Sequence, residues 1–374
     1  MPPPLVPARD VMRAAGVPAH DCVGDDSGGA SQEILAAFRA AWNGCSDTEL
    51  PPTAQFIWLN ACAATLAEGT LDFVNVERDG HPVALAPVLS RGNGFWRHWT
   101  LLGDSLYEPA DVISVDADAL NRLASRLLER GEPLRFDRLR EDSPTISTFL
   151  DQHSRRARFL LHPRAASPFI PLDETWAEPE KHLNSQRRAD LRRAQRRAEQ
   201  HGRVSSEVLA PSVSELDQLL STTLSVEAKS WKGEQKTALL HDSLRRPFYV
   251  RYAEAACRAG ILRVCFLRIG DQPVAMQLAV ESAGAFWLLK IGYDAHFARC
   301  SPGSLLSRDT IRYAARAGLK SYEFLGDVEP WTQVWTEHAH RCISLAVYPF
   351  TARGMLAYAR SIASRLKHKC KRNP

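Results

Sequence analysis

The sequence predicts an α/β (α+β) protein built from two copies of one domain, with mixed sheets flanked by helices. The main observation is an internal repeat, since seven positions of residues 69–96 recur without a gap in residues 260–287. A fixed long offset of this kind is typical of a duplicated unit. The length of 374 residues also allows two domains with separate cores. The matched positions are Gly69 and Gly260, Leu71 and Leu262, Pro82-Val83-Ala84 and Pro273-Val274-Ala275, and Phe95-Trp96 and Phe286-Trp287.

Each copy has the same predicted order of elements: a helix ending at glycine, a strand, a tight turn, a second strand, and a third strand that begins at Phe-Trp. In the second copy a helix and a parallel strand follow. Because such a crossover is right-handed, we expect the loop 297–304 at the carboxyl ends of strands, where ligands bind in open α/β sheets. The predicted helices there are residues 214–226, 247–258 and 303–317, and the predicted strands are residues 262–269, 274–281, 285–291 and 321–325.

The repeat and the composition divide the chain into four predicted parts. Residues 1–30 are rich in Pro, Gly and Asp and are expected to form a flexible leader. The first copy spans residues 31–165 and the second spans residues 166–350. Residues 351–374 form a basic tail.

The tail contains seven Lys or Arg and no acid, with Met355, Tyr358, Ile362 and Leu366 at helical spacing. A basic amphipathic helix of this kind lies on anionic membrane surfaces. The alternative is a helix that docks on the domain and has a frayed basic end.

The composition indicates in which compartment the protein works and which ligands it is not expected to bind. The net charge is +4, and the eight cysteines are scattered without a Cys-x-x-Cys, which favours a reducing cytoplasm. No apolar run reaches the ~20 residues of a membrane-spanning helix. We therefore expect a cytoplasmic protein, with a peripheral position on the inner face of the membrane if the tail binds lipid. His338 and His340 lack a third ligand at useful spacing, so no metal is expected. No DNA partner is expected either.

A turn of small residues opens the helix after the third strand of the second copy. Its sequence is Ser301-Pro302-Gly303-Ser304, and free N–H groups at such a helix start bind phosphate. The corresponding region of the first copy, residues 106–111, is acidic. The alternative is an ordinary helix start, with Ser301 as the cap and Pro302 near the first helical position.

The segment Glu227–Gly233 combines groups that suit a loop over an active site. Glu227 is a candidate base, Trp231 a candidate apolar wall, and Lys229 and Lys232 are cations that could contact substrate. The same residues also fit a solvated helix end capped by Gly233, with Trp231 as a core anchor.

Four further side chains lie near the turn. Lys290, Tyr293 and Asp294 follow the third strand, and Glu323 is an acid within the apolar strand after the crossover helix. Acyl transfer needs a base near the amine and an acid near the leaving thiolate, roles that Asp, Glu and Tyr can fill. Structural hydrogen bonding is the alternative for each.

An arginine-rich helix precedes these motifs. It provides a surface for nucleotide phosphate, tRNA or anionic lipid, or it is a solvated face. Aromatic residues do not interleave with the arginines, so base stacking is not indicated. The arginines are Arg187, Arg188, Arg192, Arg193, Arg196, Arg197 and Arg203.

Residues 183–347 resemble the GNAT-fold acyltransferases of the cellulose-biosynthesis or FemAB-like class, in which a tandem arrangement with a first copy lacking the motifs also occurs. The motifs that carry the resemblance are Arg188-x-x-Leu191-Arg192-Arg193, Glu227-x-x-Ser230-Trp231-Lys232-Gly233, Lys290-x-Gly292-Tyr293-Asp294, Ser301-Pro302-Gly303-x-Leu305-Leu306, and Tyr322-Glu323-Phe324-Leu325-Gly326 followed by Trp335.

The resemblance implies an N-acyltransferase that binds acyl-CoA, with pantetheine between splayed strands and the pyrophosphate at Ser301–Ser304 beside Arg299. An amine acceptor would attack the thioester, and backbone N–H groups would hold the oxyanion. The sequence departs from the usual phosphate loop, because Gly303 is its only glycine and Arg299 is displaced by one position. Aminoacyl-tRNA therefore stays open as an alternative donor.

The resemblance leaves several acceptors open. A bacterial ceramide-synthase-like reaction on a sphingoid-type amine at a membrane fits the basic tail, and a polysaccharide or a small-molecule amine fits the second copy equally well. A non-enzymatic lipid- or tRNA-binding module is a further alternative, which would explain the arginine helix and the tail but not the motifs.

Overall fold

The computed structural model describes residues 50–230, 239 and 242–372. The predicted leader, residues 1–30, lies outside the described residues. The described α-helices are α1 (Phe56–Thr65), α2 (Ala117–Glu129), α3 (Pro144–Gln152), α4 (Ser185–Glu199), α5 (Val213–Ala228), α6 (Arg246–Arg258), α7 (Pro302–Arg316) and α8 (Ala352–Arg372). The described strands are β1 (Leu71–Arg78), β2 (His81–Arg91), β3 (His98–Leu101), β4 (Ile113–Ser114), β5 (Leu134–Arg140), β6 (Ala157–Pro171), β7 (Val204–Leu209), β8 (Leu262–Ile269), β9 (Gln272–Ser282), β10 (Ala285–Tyr293), β11 (Ser321–Glu323) and β12 (Ala339–Pro349).

The chain forms two compact units. Among the described residues, unit 1 comprises residues 67–164 and 341–372, and unit 2 comprises residues 50–66 and 165–340. Two segments thus lie in other units than the predicted bounds of 31–165 and 166–350 would place them. Helix α1 belongs to unit 2 because Trp58 packs edge-on against Phe248 and Tyr252 of α6, with ring centroids 4.8 and 4.9 Å away. Strand β12 belongs mostly to unit 1.

Unit 1 is a mixed sheet with helices packed against it. Its strand order is β1-β2-β3-β5-β12, with β4 beside β2, and only β3 and β5 among the described pairs run parallel. Helix α2 begins at Asp116, whose carboxylate accepts from the N–H of Ala119 at 2.8 Å. Its leucines join a core with Phe136 of β5 and with Leu345 and Val347 of β12. Strand β12 therefore completes both the sheet and the core of unit 1.

The expected strand beginning at Phe95-Trp96 is wrong in unit 1. These residues form a short 3-10 turn, Gly94–Trp96, and the strand starts later, at His98. Phe95 and Trp96 are exposed, whereas Phe286 in unit 2 is buried within β10. The repeat in sequence therefore does not give the same backbone at this point.

The basic tail is helical, as its periodicity indicates, but part of its apolar stripe packs on unit 1. Tyr358 and Ile362 of α8 pack against the buried residues Leu160, Ala346 and Tyr348. The hydroxyl groups of Tyr348 and Ser361 are 2.8 Å apart. On this side, α8 is therefore docked on its domain, which was the alternative to a helix lying on a membrane surface.

Unit 2 has the strand order β6-β11-β10-β9-β8-β7, in which β10 and β11 are parallel and their described neighbours antiparallel. Helices α4 and α7 share an apolar core with one face of this sheet, while α5 and α6 cover the other. Both units combine a mixed sheet with flanking helices, so the predicted fold class is confirmed.

A buried hydrogen-bond network fixes α7 on the sheet of unit 2. Gln277 Nε2 donates to Ser307 Oγ at 3.1 Å, and the hydroxyl of Tyr322 donates to Gln277 Oε1 at 3.2 Å. Thr310 Oγ1 lies 3.0 Å from the same tyrosine hydroxyl. Burial raises the pKa of Tyr322, so the phenol stays protonated as a donor. The network therefore ties β9, β11 and α7 together at the start of the site.

Candidate functional site

The site lies where two parallel strands of unit 2 part. Strand β10 pairs with β11 only over Ala285–Trp287 and then continues to Tyr293, while β11 ends at Glu323. The chain after β11 follows β6 instead, because the N–H of Phe324 donates to the carbonyl oxygen of Pro168 at 3.1 Å. An opening therefore forms beside the carboxyl half of β10.

A β-bulge in β10 determines which side chains face each side of this opening. The register against β9 shifts between Leu288 and Lys290, so that Leu289 is the additional residue. In a regular strand Leu288 and Lys290 would share a face. Here Leu288 lies in the core beneath α7, whereas Lys290 faces α5 and α6, and Tyr293 packs towards α7. The bulge thus places Lys290 on the face opposite Leu288, and regular alternation after it places Tyr293 on the α7 face.

On the α5 face, Glu227 lies directly against the backbone of β10. A methyl group at Gly292 would be 2.9 Å from Cα of Glu227 and 3.1 Å from its Cβ and Cγ. The glutamate is 2% exposed. Its Oε2 accepts from the N–H of Leu239 at 3.0 Å, and Ser230 Oγ donates to its carbonyl at 2.6 Å. Glycine at position 292 is therefore what allows this carboxylate to reach the strand beside the opening.

Asp294 joins the end of β10 to the end of α5. Its Oδ1 accepts from the N–H of His296 at 3.0 Å, which caps the following 3-10 turn, Ala295–Cys300. Its Oδ2 lies 3.4 Å from Gln272 Nε2 and 3.8 Å from Lys229 Nζ. Both oxygens of Asp294 are thus engaged within the protein. These contacts favour a positioning role for Asp294 and for Lys229.

A mostly apolar pocket lies between α5, α6 and the sheet. Lys290 extends along it, with Nζ 4.4 Å from the ring centroid of Tyr249, and Arg246 is a second cation in its wall. Thr223 Oγ1 is buried at the pocket without a hydrogen-bond partner among the described residues. The free space in this pocket is about 10 Å³, which is room for about one water molecule beside the Thr223 hydroxyl. Its other lining residues are Leu220, Leu224, Leu239, Val250, Met276 and Leu278.

On the α7 face, Tyr293 lies beside the first turn of α7. A methyl group at Gly303 would be 3.7 Å from Cδ1 of Tyr293. The described residues give the Tyr293 hydroxyl no hydrogen-bond partner. The N–H of Gly303, in the first helical turn, likewise has no acceptor in the described part of the chain, as expected at a helix start. One phenol and one free N–H therefore face the same side of the opening.

The start of α7 also has a strained residue and two cations. Ser301 adopts the left-handed region with φ 44°, which is uncommon outside glycine. Arg197 of α4 donates to the carbonyl oxygen of Arg299 at 3.3 Å, so the Arg197 guanidinium lies at this turn, and Arg299 is an exposed residue two positions before Ser301. Cys300 is buried, and burial raises the pKa of its thiol, which excludes it as a thiolate nucleophile. The turn has the positive charge and the free N–H that bind an anion.

Glu323 lies at the point where the strands part, with both oxygens already engaged. Ser321 Oγ donates to Oε1 at 2.8 Å, and His340 Nε2 lies 3.1 Å from Oε2. The imidazole of His340 stacks on Phe169, with ring centroids 3.9 Å apart. Glu323 is thus part of a local network and is a weaker candidate base than Glu227.

The structure brings most of the predicted residues together. Glu227, Lys229, Lys290 and Asp294 lie at one side of the opening, and Tyr293 lies at the other with Arg299, Ser301, Gly303 and Ser304. Trp231 and Lys232 lie outside the described residues. Sequence reasoning missed the role of Gly292, although its place before Tyr293-Asp294 was a signal, and it treated Arg197 only as one of a charged series.

The described residues lack a metal-binding cluster and a membrane-spanning helix. No group of three His, Cys, Asp or Glu side chains in residues 50–230, 239 and 242–372 could hold a metal ion. No helix in the same ranges is both long and apolar enough to cross a membrane.

Comparison with known proteins identifies the region that contains the parted strands. Residues 185–333 match the family model "Acetyltransferase (GNAT) domain". This GNAT-type region includes α4, α5, the bulged strand β10 and α7, and all of the predicted site residues. The resemblance to GNAT-fold acyltransferases is confirmed for this region. No curated protein matches the chain.

Solved structures match a larger part of the chain than the GNAT-type region. The C-terminal DUF2156 domain of a protein assigned as a lysylphosphatidylglycerol synthetase from Agrobacterium fabrum has a TM-score of 0.54 at 13% identity, covering 90% of this chain and 97% of its own. A conserved protein of unknown function from Bacteroides thetaiotaomicron gives 0.56 at 10%, covering 84% and 97%. FemX gives 0.52 at 12%, covering 86% and 96%. At these identities the likeness concerns the fold alone.

Proposed function

We propose that the protein is an N-acyltransferase that transfers an acyl group from acyl-CoA to an amine acceptor. The observation that carries the proposal is the opening between β10 and β11, which has a buried carboxylate on one face and an anion-binding turn on the other. The GNAT-type region supports acyl transfer to an amine, and the resemblance noted from the sequence supplies acyl-CoA as the donor.

The donor would lie on the α7 side. The pantetheine arm would enter the opening, with the pyrophosphate at the N–H of Gly303 and beside Arg197 and Arg299. Ser304 contributes a hydroxyl in the same turn. A helix N-terminus with the Arg197 guanidinium beside it favours a doubly charged pyrophosphate, and Arg299 is the second cation we assign to it.

The acceptor would lie on the α5 side. The neutral amine forms a C–N bond with the thioester carbonyl and gives its proton to Glu227, and the C–S bond then breaks. The phenol of Tyr293 protonates the leaving thiolate. Lys290 contacts the acceptor, and Lys229 and Asp294 hold the wall of the site in position. Trp231 and Lys232 are further candidates for acceptor contacts.

We propose a long-chain amine of the sphingoid type as the acceptor, which would give a ceramide-like amide. The basic tail supports a cytoplasmic enzyme that works at a membrane surface, where such an amine would be presented. A polysaccharide or small-molecule amine is the alternative acceptor. Product analysis by mass spectrometry with each class of amine would separate them.

Gly303→Glu should weaken CoA binding by more than about tenfold, because a carboxylate would meet phosphate at a helix N-terminus. The matched control is Gly303→Ala, whose methyl would have no atom closer than 3.7 Å, from Tyr293. Titration calorimetry with CoA measures both variants. Unchanged affinity in a folded Gly303→Glu protein would remove this donor site.

A separate observation favours aminoacyl-tRNA as an alternative donor. Arg188, Arg192 and Arg196 follow one another at intervals of four on α4 and, with Arg308 of α7, line a groove on unit 2. The acid in this lining is Glu180, which pairs with Arg308 at 3.6 Å. Like charges at this spacing destabilise a helix by about 0.2–0.5 kcal/mol per pair. The stripe is therefore most stable with an anion bound along it.

If the donor is aminoacyl-tRNA, reversing Arg192 and Arg196 to Glu should weaken tRNA binding by at least about tenfold and reduce its salt dependence. The control is the double reversal of Arg251 and Arg258, two exposed arginines on α6 that leave the same net charge. Filter binding at several salt concentrations measures both. Equal, weak tRNA binding by all three proteins, with turnover on acyl-CoA, would exclude the tRNA donor.

A further inference from the structure

Unit 1 has an exposed aromatic surface that the acyl-transfer site does not use. We call it the aromatic–arginine patch and define it by Phe95, Trp96, Phe350, Arg353 and Arg360. The three aromatic side chains are 44%, 47% and 47% exposed. Large aromatic side chains exposed together mark a binding surface, whereas single ones need no explanation.

The backbone presents Phe95 and Trp96 at the tip of the connection between β2 and β3. Gly92 and Gly94 both have positive φ, at 74° and 56°, which fixes this tight turn. A methyl group on Gly92 would lie 3.2 Å from the carbonyl oxygen of Trp96. The two rings contact each other edge-on, 5.6 Å apart. The turn thus holds two aromatic rings outward as one unit.

An arginine guanidinium group lies over each exposed ring of the patch. Arg353 Cζ is 5.6 Å from the ring centroid of Phe95, and Arg360 Cζ is 4.5 Å from that of Trp96. Arg158 Cζ is 5.3 Å from the ring of Phe350. Cation–π contacts of this kind hold the guanidinium group beside the ring, and its N–H groups can still donate to an anion.

The acid next to the patch is already neutralised. Glu132 is 7% exposed and contacts Arg353, Arg97 and the indole N–H of Trp99. Although burial raises it, the pKa of Glu132 is held below its usual value by the hydrogen bonds from Arg97 and Trp99. Glu132 therefore anchors Arg353 and does not repel an anionic partner.

Helix α8 supplies cations to the patch and also has exposed apolar side chains. Tyr358 and Ile362 pack on unit 1, while Leu356 on the outer side is 49% exposed. The sequence of α8 has no Asp or Glu. Leu366 of α8 is 59% exposed, so the helix adds to the apolar surface of the Phe95-Trp96 turn and Phe350 as well as contributing Arg353 and Arg360.

We propose that the aromatic–arginine patch binds the interface of an anionic lipid bilayer. Trp and Phe rings settle at the depth of the lipid headgroups, where one end is apolar and the other is wet. Arginines beside them pair with headgroup phosphates, and cations near an anionic leaflet each add to binding. This surface lies on unit 1 and does not depend on the acyl-transfer chemistry of unit 2.

Vesicle flotation with the full chain tests the proposal. Wild-type protein should float with phosphatidylcholine vesicles that contain phosphatidylglycerol at low salt and should bind neutral phosphatidylcholine vesicles much less. Trp96→Ser should weaken binding by roughly tenfold or more, since a large side chain no longer leaves water. Arg360→Glu should weaken it by about 30-fold, and Arg360→Lys should retain most of it.

The matched control is Val328→Ser, which removes an exposed apolar side chain, 41% exposed, from unit 2. It should float like the wild type. Circular dichroism establishes that every variant is folded. Two results would overturn the proposal: vesicle binding unaffected by both Trp96→Ser and Arg360→Glu, or no binding of the wild type to the anionic vesicles. If the second result came with a dimer in sedimentation that Trp96→Ser dissociates, the patch would be a contact between copies of the chain.

Discussion

Replacing Glu227 by Gln should lower the turnover number for acyl transfer by about 10²- to 10⁴-fold, the usual effect of losing a general base. CoA affinity should stay unchanged, because the glutamate lies on the face opposite the α7 turn. Glutamine keeps an oxygen that can accept the hydrogen bond from the N–H of Leu239, so the substitution removes the base without removing this contact. Thiol release from acyl-CoA measures the turnover, and calorimetry measures the binding.

Two controls separate catalysis from structure. Asp217→Asn removes an exposed carboxylate from the same helix and should leave turnover unchanged. Asp294→Asn should cause a smaller loss than Glu227→Gln, because asparagine is also a good cap for the turn that Asp294 begins. Near-normal turnover of the Glu227→Gln variant would show that Glu227 is not the base. Glu323 would then be the next residue to test.

Gly292→Ala should lower turnover by roughly 100-fold, since misplacing a reacting group by about 1 Å can cost that much. The added methyl would lie within 2.9 to 3.1 Å of three atoms of Glu227, including its Cα. The end of α5 must therefore move away from β10. Overpacking of this kind costs typically ~1–3 kcal/mol of stability, so the melting temperature should fall as well.

Gly303→Ala is again the matched control, because its methyl meets only ordinary contact distances. It should keep both the melting temperature and most of the turnover. If Gly292→Ala had wild-type turnover, close contact between Glu227 and β10 would not be needed for the reaction, and the proposed site would have to be revised.

Much of unit 2 could be predicted because its turns are local. The β8–β9 hairpin follows from Gly270 and the residues around it, and the helix at Ser301-Pro302-Gly303 follows from ordinary start signals. The candidate residues Glu227 and Tyr293 were found through motifs. The face of the sheet on which Tyr293 lies could not be predicted, because it depends on the extra residue Leu289, which no composition signal marks.

The other features that the sequence did not predict have a common physical reason. Contacts with distant parts of the chain determine the local structure. Helix α1 packs in unit 2 because Trp58 makes aromatic contacts with α6, about 190 residues further along the chain. Phe95-Trp96 repeats the sequence of a buried strand. Here, however, the two glycines of its turn and the cations of α8 stabilise an exposed turn. Periodicity reports neighbours along the chain and not partners of this kind.

The placement of β12 in unit 1 has a consequence for how the protein is made. Cys342 of β12 pairs opposite Arg140 of β5, so the first sheet waits for a strand synthesised about 200 residues later. At roughly 5–20 residues per second, this leaves the edge of β5 uncovered for about 10–40 seconds on the ribosome. An open edge beside an unfilled core invites pairing with other chains. The first unit to be translated is therefore the last that can finish folding, and its nascent form is where a chaperone would have most to protect.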